Sequence, residues 1–115
     1  MAKKELSASE LSAAFAKAER WGSGSGKGQV WVQSPSKDSF SDMRFVMIPD
    51  GTSPAAKFAK KHYGAGGAES IFYSTTIPVT GWGKAGNERY AEAFASVLRS
   101  AGIEAKATDW ADTDD

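Results

Sequence analysis

A single α+β domain, with helices packed on a mixed sheet of about four strands, is the fold this sequence predicts. Segments with a helical repeat of apolar residues alternate with short β-branched runs in the order α-β-β-α-β-α-β. The chain is 115 residues long, enough for one core and too short for two. Two β-α-β successions favour crossovers that lay helices on the sheet and leave some strands parallel.

The first helix is predicted over residues 7–20. Ser7 and Glu10 have the spacing of a capping box, and Leu6 and Leu11 flank it as a hydrophobic staple. Leu11, Ala14, Phe15 and Ala18 then share one face. Gly22 is expected to stop the helix, and residues 22–28, with four glycines, read as a connector. Residues 29–33 form a first strand, with Val30 and Val32 on one side and Trp31 on the other. A serine-rich loop leads to a second strand over residues 43–48, apolar on both faces except at Arg44, the pattern of a central strand. Antiparallel pairing of these two strands is the expected local arrangement.

Ser53 and Pro54 mark the start of a second helix, with Ala55, Phe58, Ala59 and His62 as its inner stripe and Gly64 as its end. A third strand is predicted over residues 70–76, around Ile71-Phe72-Tyr73, with Pro78 confining any extension to an edge. Residues 81–86 read as a glycine-rich turn. The last helix is expected over 87–101, burying Tyr90, Phe94, Val97 and Leu98. Gly102 suits a left-handed position after it, closed by Ile103 in a Schellman motif. A final strand runs over residues 103–108. The domain thus occupies residues 1–108, and 109–115 form an acidic tail.

Charge balances overall, with 14 basic and 14 acidic side chains, but unevenly along the chain. All the basic residues and ten of the acidic ones fall in residues 1–108, leaving +4 there. Four aspartates in the last seven residues cancel it. Trp110 within that tail predicts packing against the domain or a partner, bringing Asp109 and Asp112 towards Lys84 and Arg89. With no cysteine, thiol catalysis, disulfides and Cys-ligated metals are excluded, and a reducing compartment is favoured. No apolar run has the length of a membrane span, and Met1–Glu5 lead into no signal-peptide core. The expected location is the cytoplasm.

Candidate chemistry is sparse. Gly81-Trp82-Gly83-Lys84-Ala85-Gly86 matches G-x-G-x-x-G, but it does not follow its strand directly and Trp82 crowds the phosphate path. A simpler anion site at the start of helix 87–101, flanked by Lys84 and Arg89, fits better. Gly26-Lys27 lacks the first glycine and the Ser or Thr of a phosphate-binding loop, and lies between helix and strand, so nucleotide hydrolysis is rejected. His62 alone makes neither a zinc site nor a triad. No cofactor or metal is therefore expected, and His62, Tyr73 and Glu88 are weak acid–base candidates for a small enzyme.

The remaining signals are tryptophans and lysines. Trp21, Trp31, Trp82 and Trp110 fall outside the expected core, at element ends, in loops, or on the far side of a strand, where tryptophan marks contact surfaces. The leading expectation is a small non-enzymatic binding protein with a protein partner: an inhibitor, an accessory subunit or an assembly component. The alternative is nucleic-acid or phosphate-ligand binding through Lys27, Lys57, Lys60, Lys61, Lys84 and Arg89, extended by Lys37 or Arg44.

Overall fold

The computed structural model describes residues 6–25, 29–30, 42–63, 75–80 and 83–109. They form one α+β domain of three helices and an antiparallel sheet. In chain order the elements are α1 (Ala8–Ser25), β1 (Gln29–Val30), β2 (Arg44–Ile48), α2 (Pro54–Tyr63), β3 (Thr75–Thr80), α3 (Gly83–Ser100) and β4 (Lys106–Asp109). The three full strands lie in the order β3-β2-β4, and the two-residue β1 is added beside β3.

Every pairing among the described residues is antiparallel, which corrects the expected mixed sheet. Ile48 lies opposite Thr75, so the segment carrying α2 leaves and re-enters the sheet at the same end, as a long hairpin connection. β3 and β4 do run parallel across α3, but β2 is inserted between them. A crossover therefore exists without parallel neighbours. The expected pairing of β1 with β2 is also overturned: Gln29 faces Thr80 and Val30 faces Val79. β2 already has both its ladders filled by β3 and β4, so β1 takes the free side of β3. The central position expected for β2 holds.

α1 begins as its sequence demands. The Ser7 amide donates to Glu10 Oε1 at 2.9 Å, and the Glu10 amide donates to Ser7 Oγ at 3.2 Å, a reciprocal capping box. The helix does not stop at Gly22. It continues to Ser25, because Gly22 lies against the ring of Tyr90: a Cβ built there would be 3.0 Å from three ring atoms. A glycine costs a helix about 1 kcal/mol relative to alanine, and close packing on α3 offsets that loss. Of the connector expected over 22–28, residues 26–28 lie outside the described residues.

α2 starts at Pro54, with the Ala56 amide donating to Ser53 Oγ at 3.1 Å. Its buried face is Ala55, Ala56, Ala59 and Tyr63. His62 is exposed, so the expected inner stripe is corrected by one position at its end; the bulkier, more apolar Tyr63 takes the buried place. Phe58 is partly buried. β3 is described over Thr75–Thr80 and contains Pro78 opposite Phe45; the expected start at residue 70 falls outside the described residues. Pro78 lies one position beyond the described register of β1. Ile71, Phe72 and Tyr73 lie outside the described residues.

α3 starts at Gly83, four residues before the expected position, absorbing much of the supposed glycine-rich turn. Gly83 has φ +76° and makes the bend into the helix; Lys84 and Ala85 then favour helix. The far end follows the sequence reading. Gly102, at φ +89°, donates to the Arg99 carbonyl at 3.0 Å and Ile103 to that of Leu98 at 2.9 Å, the two bonds of a Schellman closure. The last strand starts at Lys106, not at residue 103. Ile103 and Ala105 instead pack into the core.

The core lies between the helices and the face of the sheet carrying Val46, Ile48, Ile77 and Val79. Phe15 is its hub, with ring centroids 4.8 Å from Phe58, 5.9 Å from Tyr63 and 6.0 Å from Phe94. Tyr90 stacks on Phe94 at 6.0 Å. Such pairs contribute roughly 0.5–1.5 kcal/mol each beyond their burial. Gly22 on Tyr90 at one end and Leu11 beside Ile103 at the other make α1 antiparallel to α3.

Candidate contact surface

The inward stripe of α1 leaves Ala13, Ala16, Lys17, Arg20 and Trp21 exposed on the opposite side. Trp21 is 57% exposed, the one large apolar side chain in that state among the described residues. It sits within the helix, not at its end as the sequence reading had it, because α1 extends past Gly22. Lys17, one turn earlier, places its Nζ 5.5 Å from the centroid of the indole. The cation rests on the ring face, an arrangement worth about 0.5–1 kcal/mol at an exposed site. A flat aromatic, a cation and small neighbouring side chains thus share one helical surface. Trp31, Trp82, Trp110 and Lys27 lie outside the described residues, as do Lys37 and Tyr73.

The described basic residues of the alternative reading are divided between α2 and α3. Lys57 and Lys61 are exposed on α2, whereas Lys60 donates to the Gly51 carbonyl at 2.9 Å and ties the helix to the preceding turn. Lys84 and Arg89 are exposed on α3. Arg44, a suggested extension, is 8% exposed: one guanidinium nitrogen donates to the Met43 carbonyl at 2.7 Å and another lies 3.6 Å from Glu88 Oε2. Arg44 is thereby turned into the domain, while the Glu88 side chain stays largely exposed. The helix start on which an anion site was expected lies at Gly83, not at residue 87. Asn87 is buried in the second turn of α3, with Nδ2 donating to the Asp42 carbonyl at 3.0 Å. Asp109, expected near Lys84 and Arg89, lies opposite Arg44 in the ladder; Asp112 is outside the described residues.

A polar cluster that sequence reasoning missed joins α1 to α2. Tyr63 donates its hydroxyl to Glu19 Oε2 at 2.7 Å, and His62 Nε2 stands 3.8 Å from the same oxygen. The His62 ring stacks on Phe58 with centroids 5.2 Å apart. Burial, reinforced by the hydrogen bond to Glu19 and its charge, pushes the Tyr63 phenol far above its ordinary value. Burial, with the Glu19 charge, raises that of Tyr90 to about 12. Both phenols are held neutral, and the hydrogen bond from Tyr63 to Glu19 ties α1 to α2. Glu19 lay off the apolar stripe in sequence and gave no sign of a partner 44 residues away.

No group of three or more metal-ligating side chains and no helix fit to cross a membrane occurs among the described residues. No protein-family model matches the chain, no curated protein matches it, and no solved structure matches its fold.

Proposed function

We propose that this domain is a small non-enzymatic binding protein that acts by contact with a protein partner, as an inhibitor, accessory subunit or assembly component. The observation that carries the reading is Trp21, exposed on a well-packed helix with Lys17 over its ring. Tryptophan is enriched at the centres of protein interfaces, where it buries a large area at small entropic cost. The helix around it is anchored by Phe15 and Gly22, so the ring is presented on a rigid support. Binding of nucleic acid or phosphate ligands is the second reading, supported by exposed Lys57, Lys61, Lys84 and Arg89.

Affinity capture from the native host, with the full chain and Trp21→Ala as paired baits at low and high ionic strength, separates the readings. A protein held by the wild type in high salt and lost by Trp21→Ala supports contact through α1. Equal recovery by both baits overturns the assignment to Trp21. Capture of nucleic acid that falls steeply with salt favours the second reading.

A further inference from the structure

The first turns of α1 and α2, the exit of β2 and the end of α3 meet around an open cleft of about 230 Å3. Its floor belongs to the core and consists of Leu11, Ile48, Ala55 and Ile103. Two exposed carboxylates line it, Asp50 after β2 and Glu104 after α3. We propose that this cleft docks a polypeptide segment presenting one apolar side chain beside a lysine or arginine. The proposal extends the contact reading without using Trp21, which lies about 15 Å further along α1 than Leu11 at the rise of an α-helix.

Size selects the occupant. Sites for cofactors and drug-sized ligands run about 300–1,000 Å3, so this smaller, open cleft suits a side chain delivered by a larger surface. Charge selects its neighbour. Thr52 donates to Asp50 Oδ1 from its amide at 2.9 Å and its hydroxyl at 2.6 Å, which stabilises the ionised form and lowers the carboxyl below its ordinary value. The α2 start at the cleft is capped by Ser53, which occupies an amide that could otherwise attract an anion. The Leu98 and Arg99 carbonyls at the α3 end are occupied by the Ile103 and Gly102 amides, so the negative charge at the cleft comes from Asp50 and Glu104. Apolar burial then supplies the affinity and the carboxylates choose the sign of the flanking residue.

The test is a titration of the 15N-labelled full chain with three blocked peptides, carrying Leu beside Lys, Leu beside Glu, or Ser beside Lys. The Leu-Lys peptide is expected to shift the amides of Ala55, Ile103 and Glu104 saturably. The Leu-Glu peptide should bind about fivefold more weakly at low salt, from the usual strength of exposed ion pairs. The Ser-Lys peptide should not saturate. Asp50→Asn with Glu104→Gln should erase the preference for Lys over Glu, and the exposed single change Glu104→Lys should reverse it. Trp21→Ala should leave it intact, so that failure of the α1 contact and failure of the cleft are read separately. Absence of saturable shifts at those amides, equal binding of the two leucine peptides, or equal binding of the Leu-Lys and Ser-Lys peptides overturns the proposal.

Discussion

Two glycines near the end of α1 have opposite surroundings and should answer the same substitution with opposite signs. A Cβ at Gly24 meets nothing within 4 Å, so Gly24→Ala should stabilise by up to about 1 kcal/mol, the helix-propensity difference. A Cβ at Gly22 stands 3.0 Å from the Tyr90 ring, roughly half an ångström inside ordinary contact. That ring is buried and stacked on Phe94, so it has little room to retreat. Overpacking of this kind costs about 1–3 kcal/mol. Set against the same propensity gain, Gly22→Ala should destabilise by about 0–2 kcal/mol, and Gly22→Val, larger and β-branched, by more. Urea denaturation of the three variants measures each shift from the midpoint at constant slope. In a Tyr90→Leu background the penalty at position 22 should shrink, because the obstructing ring is gone. Equal stabilisation by Gly22→Ala and Gly24→Ala would refute the close approach of α1 to α3.

Leu98 is fully buried between α3 and the core, and Leu98→Ala should cost about 2–5 kcal/mol by the same denaturation assay. Ser7→Ala removes the capping oxygen for the Glu10 amide and should cost about 1 kcal/mol, with faster hydrogen exchange confined to the first turn of α1. Stability should fall as pH rises above about 10: the unfolded tyrosines lose their protons there, while folded Tyr63 and Tyr90 keep theirs. Unfolding titrated up to pH 11 should show the decline, at most about 1.4 kcal/mol per pH unit for each residue. Tyr63→Phe should flatten that slope while lowering stability near neutral pH through loss of the bond to Glu19.

The parts of the fold written in local chemistry were legible in the sequence. The Ser7–Glu10 box, the Ser53 cap, the buried face of α3 and the Gly102–Ile103 closure each depend on residues within a few positions of one another. The misreadings arise where a distant group decides. Gly22 looks like a terminator until Tyr90 is beside it, and β1 looks like a hairpin partner of β2 until β3 and β4 occupy both its edges. Residues 75–80, with three threonines around a proline, carry a weaker strand pattern than Ile71-Phe72-Tyr73, yet they hold the register with β2. For the contact surface, the sequence singled out Trp21 as lying outside the core, whereas the cleft was invisible because it is assembled from the ends of four elements.

The insertion of β2 between β3 and β4 also bears on how the molecule reaches its native state. Ile48 must find Thr75, and Arg44 must find Asp109 more than sixty positions downstream. Neither ladder of the central strand can zip from a tight turn, so both depend on closing long loops before pairing returns any free energy. Until then Phe45, Val46, Met47 and Ile48 form a short apolar strand with two open edges, the kind of segment that pairs with another chain. Helix pairing of α1 with α3 brings the flanks of β3 and β4 together around the gap that β2 fills. Folding rate and aggregation during refolding are thereby tied to helix docking, and substitutions at Gly22 would be felt in the sheet.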